Sequence, residues 1–151
     1  MEFKMRVILN NFTIILGFLV LGTVLAFPQI LDVEWKVVGY AGEGWFEKPE
    51  NVLGKTQTFH KGWAEGYFIQ CEFQGLSKTH TRYNLEEFLA NPEFALFKKL
   101  ENQLEFQGNQ VFVNRITCHE NKKVLYPFVI IEPGNKAYYL YEGAIYIFEK
   151  K

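Results

Sequence analysis

The residue types that most often carry out chemistry are scarce in this chain. It has two cysteines, three histidines, one serine and one aspartate among 151 residues. Cys71 and Cys118 are far apart and no Cys-x-x-Cys pair is present, so they do not suit a structural zinc site. Ser77 does not stand in a Gly-x-Ser-x-Gly motif, which excludes serine hydrolases of the usual types. We therefore expect a non-catalytic protein with no metal site and no cofactor.

One enzymatic alternative stays open, and it depends on glutamates. His119 follows Cys118 directly, but neighbours in a strand point to opposite faces, so this pair does not suit a catalytic thiolate. Glutamates are the groups left for acid–base chemistry, and two of them facing each other across a cleft could hydrolyse a glycan.

The two cysteines are better explained by a disulfide. Alternating apolar residues place Cys71 and Cys118 on the buried faces of two different strands. In an oxidising compartment we expect them to pair, closing a loop of about 48 residues worth on the order of 4 kcal/mol. The alternative is two buried thiols that never meet.

The beginning of the chain predicts export. Lys4 and Arg6 precede an apolar run from Phe12 to Leu25, and Val24-Leu25-Ala26 has the small residues of a cleavage site. This is the pattern of a secretory signal peptide over residues 1–26, cut after Ala26. The alternative is an uncleaved membrane anchor, because a spanning helix needs about 20 residues. We expect a periplasmic or secreted protein that meets the membrane only if this segment stays attached.

Residues 27–151 are expected to form one globular domain of the α+β class. Asn84 and Glu87 have the spacing of a capping box, and Asn91-Pro92 predicts a second helix start. The helices should be short and lie mid-chain, within an antiparallel sheet or a partly open barrel. Runs rich in branched and aromatic residues predict strands at 30–40, 55–60, 63–73, 111–118, 124–131, 137–141 and 144–148.

Aromatic side chains are the remaining positive signal. They make up 17% of the chain, whereas the formal net charge of -1 provides no field to attract nucleic acid. Trp45, Phe46 and Trp63 lie in or beside glycine-rich segments, and exposed loop aromatics often act as binding anchors. The alternative is that these three side chains fold back over the sheet as part of the core.

An early tryptophan strand followed by antiparallel strands resembles the lipocalin-type barrels, which bind small apolar ligands. The family's Gly-x-Trp motif is missing, because Val33 precedes Trp35 and Glu43 precedes Trp45 where glycine would stand. We therefore transfer no residue roles from that family. Three functions remain. The first is an exported binding protein that inhibits or neutralises another protein, the second is a barrel-type carrier of an apolar ligand, and the third is a small glycan hydrolase.

Overall fold

The computed structural model describes residues 27–45, 47–73, 80–120, 122 and 124–151. The expected signal segment, residues 1–26, and the candidate residue Phe46 therefore lie outside the described part. The strands are β1 (Glu34–Gly42), β2 (Thr56–Phe59), β3 (Trp63–Gly66), β4 (Cys71–Glu72), β5 (His80–Asn84), β6 (Gln110–Asn114), β7 (Phe128–Ile131), β8 (Lys136–Tyr141) and β9 (Ala144–Lys150).

These strands form one antiparallel sheet in which the first and the last strand are neighbours. The spatial order is β4-β3-β2-β1-β9-β8-β7-β6-β5. Two meanders therefore run outward from the central β1–β9 pair. Two short helices, α1 (Leu85–Ala90) and α2 (Ala95–Lys99), lie between β5 and β6. The predicted fold class, a mostly antiparallel sheet with short helices mid-chain, is confirmed.

The sheet is strongly curled, because side chains from strands far apart in the order touch each other. Phe59 in β2 and Phe128 in β7 are four strand positions apart, which would be about 19 Å in a flat sheet. Their ring centroids are 4.8 Å apart. Phe73, just after β4, also forms a bridge with Cys118, beyond the end of β6. The sheet is thus a half-barrel with a concave inner face and a convex outer face.

A bulge lets β1 contribute to both faces of the sheet. The register between β1 and β9 shifts between Val37 and Gly39. Before the bulge, Trp35 and Val37 belong to the concave core. After it, Ala41 belongs to a second core on the convex face, where Phe88 of α1 packs against the sheet.

The helical segment begins as predicted and then differs from the expectation. Asn84 accepts the N–H of Glu87 at 2.8 Å, and the Glu87 carboxylate accepts the N–H of Asn84 at 3.4 Å. This capping box starts α1. The expected second helix is interrupted, because one turn of 3-10 helix at Pro92–Phe94 precedes the five residues of α2 and another follows them. Apolar residues recur at helical spacing along this segment and all belong to the convex core, namely Phe94, Phe97, Leu100 and Leu104.

The single strand expected over residues 63–73 is two strands, so that prediction was wrong in detail. Gly66 ends β3 with a positive φ of 151°, and a Cβ there would lie 2.5 Å from the carbonyl oxygen of Thr56. The chain turns after this close approach. The buried Gln57 holds the turn, because its amide oxygen accepts the N–H of Ile69 at 3.0 Å and its amide nitrogen donates to the Ile69 carbonyl at 2.9 Å.

The strand expected over residues 124–131 is also shorter than predicted. Proline has no N–H to donate to a ladder, and β7 begins one residue after Pro127, at Phe128. Val124 pairs only through an isolated bridge with Thr117. The segment before β7 is therefore extended chain outside the regular sheet.

The predicted disulfide is confirmed. Cys71 and Cys118 are bonded, with their Cα atoms 5.7 Å apart. The bond joins β4 to the chain beyond β6, and the N–H of His119 donates to the carbonyl of Glu72 at 2.8 Å beside it. Across the described ranges, no helix is long and apolar enough to cross a membrane.

Candidate functional site

The two tryptophans predicted as partner-binding residues lie at opposite ends of the sheet. Trp63 starts β3 at the end of the sheet where β1 begins, whereas Trp45 follows the end of β1. The nine residues of β1 separate them by about 27 Å. We call the end that carries Trp63, Asp32 and Lys151 the base, and the end that carries Trp45, Tyr67 and the β8–β9 turn the tip. Trp45 and Trp63 therefore cannot form a single patch.

At the base, Trp63 is one layer of a bonded cluster. Its ring stacks on His60 with centroids 4.1 Å apart, and 44% of its surface is exposed. The imidazole Nδ1 of His60 is 2.7 Å from the Asp32 carboxylate, and its Nε2 is 3.3 Å from Glu65. The hydrogen bond to Asp32 is the main reason why the pKa of His60 is raised above 6.5.

Other charged groups at the base are also paired. The Lys136 ammonium is 2.7 Å from the Glu105 carboxylate and 4.0 Å from Glu149. Lys151 is 2.6 Å from Glu34. These pairs join chain segments that are distant in sequence, so the base is an end where polar groups serve the fold.

At the tip, Trp45 is held in place but left open. Its backbone N–H donates to the carbonyl of Glu142 at 2.9 Å, and the indole lies against Gly143. A Cβ at Gly143 would be 2.4 Å from the indole nitrogen, so only glycine allows this contact. The side chain is 72% exposed. Of the two alternatives for Trp45, an exposed loop aromatic or a part of the core, the structure has the exposed one.

A tyrosine fixes the loop that follows Trp45. The hydroxyl of Tyr67 donates to the carboxylate of Glu47. This bond, together with burial and the charge of Glu47, raises the pKa of Tyr67 to about 12. Desolvation and the charges of Glu47 and Glu142 raise the pKa of Tyr146 to about 12 as well. The tyrosines of the tip are thus neutral hydrogen-bonding groups at physiological pH.

An open groove of about 670 Å³ lies beside the tip, and we call it the aromatic groove. Its charged group, Glu93, is 2.7 Å from Arg115 and is thereby neutralised. The rest of the lining is aliphatic or aromatic, comprising Phe68, Phe94, Phe97, Val124, Leu125, Tyr126, Pro127, Tyr139, Leu140 and Tyr141.

Two side chains on the rim of this groove are the ones that sequence reasoning missed. Val124 is 68% exposed and Tyr126 is 47% exposed, although both lie in a run that predicts a buried strand. The available signal was Pro127, because a strand that starts after it leaves the preceding apolar residues unpaired.

A second cleft, of about 700 Å³, lies between Trp45 and the helical segment, and we call it the Trp45 cleft. It differs from the aromatic groove in carrying an amide and two charged side chains of opposite sign. Its lining residues are Gly42, Glu43, Gly44, Trp45, Leu96, Lys99, Leu100, Gln103 and Gly143. Helix α2 contributes a wall to both sites, through Leu96 here and Phe97 in the aromatic groove.

The concave face is filled by its own side chains. Phe68 lies at its centre, with ring centroids 4.9 Å from Tyr146, 5.4 Å from Tyr139 and Tyr141, and 5.6 Å from Phe148. A pocket of about 230 Å³ beside residues 27–31 is smaller than the ~300 Å³ at which ligand sites begin. The described part of the chain contains no group of three or more potential metal-binding side chains.

Comparison with known proteins adds no relative. The chain matches no family model, no curated protein and no solved structure.

Proposed function

We propose that this chain is an exported binding protein without catalytic activity, and that its partner is another protein bound at the aromatic groove. The observation that carries the proposal is the exposure of Val124 and Tyr126 on the rim of a groove lined by aromatic rings. Large apolar side chains exposed together around a groove are typical of interaction surfaces.

The chemistry of the groove favours a protein over other partners. Tyrosines supply much contact area with few rotatable bonds, and they are enriched among the residues that dominate binding energy. Arg115 pairs with Glu93, so a partner would meet a surface with little unbalanced charge. The groove therefore suits apolar and aromatic side chains of a partner surface, with the tyrosine hydroxyls available for hydrogen bonds.

Export is part of the proposal. The Cys71–Cys118 disulfide is compatible with an oxidising location such as the periplasm or the medium. Inhibition or neutralisation of the partner is the form of binding that we favour, because such a role needs a rigid contact surface and no reactive group. The filled concave face argues against a carrier of an enclosed apolar ligand, since that function needs an apolar cavity.

Capture from an envelope extract, followed by mass spectrometry, identifies the partner, and variants then locate the site. We expect the double variant V124A/Y126A to bind the captured protein at least ten times more weakly, because truncation of an aromatic anchor commonly costs about 2 kcal/mol or more. Trp63→Ala, which removes an exposed aromatic from the base, is the matched control. Equal affinity of V124A/Y126A and wild type would reject the groove as the binding site.

A further inference from the structure

The Trp45 cleft combines an aromatic surface with polar groups in a way that the aromatic groove does not. Its volume of about 700 Å³ falls within the ~300–1,000 Å³ of small-ligand sites. Leu96 and Leu100 give the cleft aliphatic surface, and Trp45 gives it an aromatic ring. A ligand here would touch both aliphatic and aromatic surface.

The indole of Trp45 is positioned before any ligand arrives. The indole rests against Gly143, and the backbone N–H of Trp45 donates to the carbonyl of Glu142, which fixes the chain that carries the ring. The loop is compact at Gly44, where a Cβ would lie 2.4 Å from the carbonyl oxygen of Glu47. A side chain that is fixed and yet mostly exposed loses little conformational entropy when it binds.

Three polar side chains line the same cleft and have bonding capacity to spare. The amide oxygen of Gln103 accepts the N–H of Gly42 at 3.3 Å, which leaves its amide nitrogen to donate. Glu43 and Lys99 form no ion pair with any described residue. The cleft therefore offers a carboxylate that accepts hydrogen bonds and two nitrogen groups that donate them.

This set of groups selects the chemical class of the ligand. A purely apolar ligand would leave the polar groups of Glu43, Lys99 and Gln103 without partners on desolvation. A charged ligand would be attracted by Glu43 and repelled by Lys99, or the reverse. A neutral ring with hydroxyl groups at its edge and C–H bonds on its face suits both the polar side chains and the indole. Its hydroxyl groups can bond to the polar side chains, and its C–H hydrogens are attracted to the electron-rich face of the indole.

We propose that the Trp45 cleft binds a neutral saccharide. One face of a sugar ring stacks on the indole of Trp45, and its hydroxyl groups bond to Glu43, Lys99 and Gln103. The site is separate in chemistry from the aromatic groove, and the proposal does not depend on protein binding there.

Fluorine NMR of protein labelled with 5-fluorotryptophan tests the proposal, because the chain has three tryptophans and each gives one resonance. Trp45→Phe and Trp63→Phe assign the signals. The probes are cellohexaose, chitohexaose and maltohexaose, added separately at millimolar concentration. We expect at least one of them to shift the Trp45 resonance saturably while the Trp63 and Trp35 resonances stay unchanged. No saturable shift of Trp45 with any of the three, or an equal shift of Trp63, would overturn the proposal.

Two variants then test the polar contacts in the labelled protein with the sugar that binds. Gln103→Leu removes an amide, and Glu43→Gln replaces the charged acceptor with a weaker neutral one, so we expect each to weaken binding by about tenfold. The matched control is Gln107→Leu, since Gln107 is exposed and does not line the cleft. Unchanged affinity in both cleft variants would contradict the proposed hydrogen bonds. V124A/Y126A should bind the sugar as wild type does, which separates this test from that of protein binding.

Discussion

The two ends of the half-barrel use similar residue types for different purposes. At the base, Trp63 stacks on His60, and the imidazole is bonded to Asp32 and Glu65. At the tip, Trp45 is bonded only through its backbone and rests on a glycine. At the base, the aromatic and charged side chains bond to one another and so stabilise the fold. The tip leaves such side chains exposed around two clefts, which is why we assign binding to the tip.

The largest expected effect is loss of the disulfide, which ties β4 to the chain that leads into the tip. We expect the double variant C71A/C118A to lose about 4 kcal/mol of unfolding free energy, because the bond closes a long loop in the unfolded chain. Urea unfolding measures the change. As an independent check, alkylation without reductant should leave the mass unchanged, and two adducts after reduction should appear. Two adducts without reductant would contradict the disulfide.

The next effect concerns the buried amide that connects β2 to the turn below the tip. Gln57→Leu should cost about 2–3 kcal/mol, because the N–H and carbonyl of Ile69 would be left buried without their partner. The exposed Gln107→Leu is the control and should change the urea midpoint little. A similar small change at Gln57 would show that water replaces the amide and that the turn is held in another way.

Stability of the base should depend on pH through His60. Its folded pKa is raised above 6.5, so its stabilisation is fully present below 6.5 and is lost as the pH rises through the folded pKa. We expect the urea midpoint to fall as the pH rises above 6.5 and through the folded pKa, and to fall less in His60→Gln. The same pH dependence in both proteins would show that the cluster with Asp32 and Glu65 does not stabilise the base.

The smallest changes in stability should come from replacing the two exposed tryptophans, one at each end of the sheet. Trp45→Ala should change stability by no more than about 0.5 kcal/mol, because the side chain is mostly solvated. Trp63→Ala should cost about 1 kcal/mol, because it removes the stack on His60. Urea unfolding of both variants under the same conditions measures the difference. A larger loss of unfolding free energy in Trp45→Ala than in Trp63→Ala would contradict our view that the base stabilises the fold and the tip binds.

The parts of the fold that depend on local sequence could be predicted. The capping box at Asn84 was predictable because its two bonds lie within four residues. The disulfide followed from alternation, which places Cys71 and Cys118 on buried faces, together with the expected compartment. The antiparallel α+β class followed from the repeated short strands around one helical segment.

What could not be predicted depends on where distant segments meet. Gly66 must be glycine because the backbone at Thr56 approaches it, and no sequence pattern reports that contact. The distance between Trp45 and Trp63 is set by the length of β1 between them, so their similar glycine-rich surroundings were misleading. The groove rim at Val124 and Tyr126 has the composition of a buried strand, and Pro127 signals only that the rim lies outside the ladder. That a groove opens beside it depends on segments distant in sequence.

The central claim is that the tip, and not the base, contacts a partner protein. Site-specific photocrosslinking tests it directly, with p-benzoylphenylalanine in place of Tyr126 in one protein and of Trp63 in another, each expressed in the source cells. We predict a crosslink to a separate protein from position 126 and none from position 63. Crosslinks of equal yield from both positions, or from position 63 alone, would contradict the account.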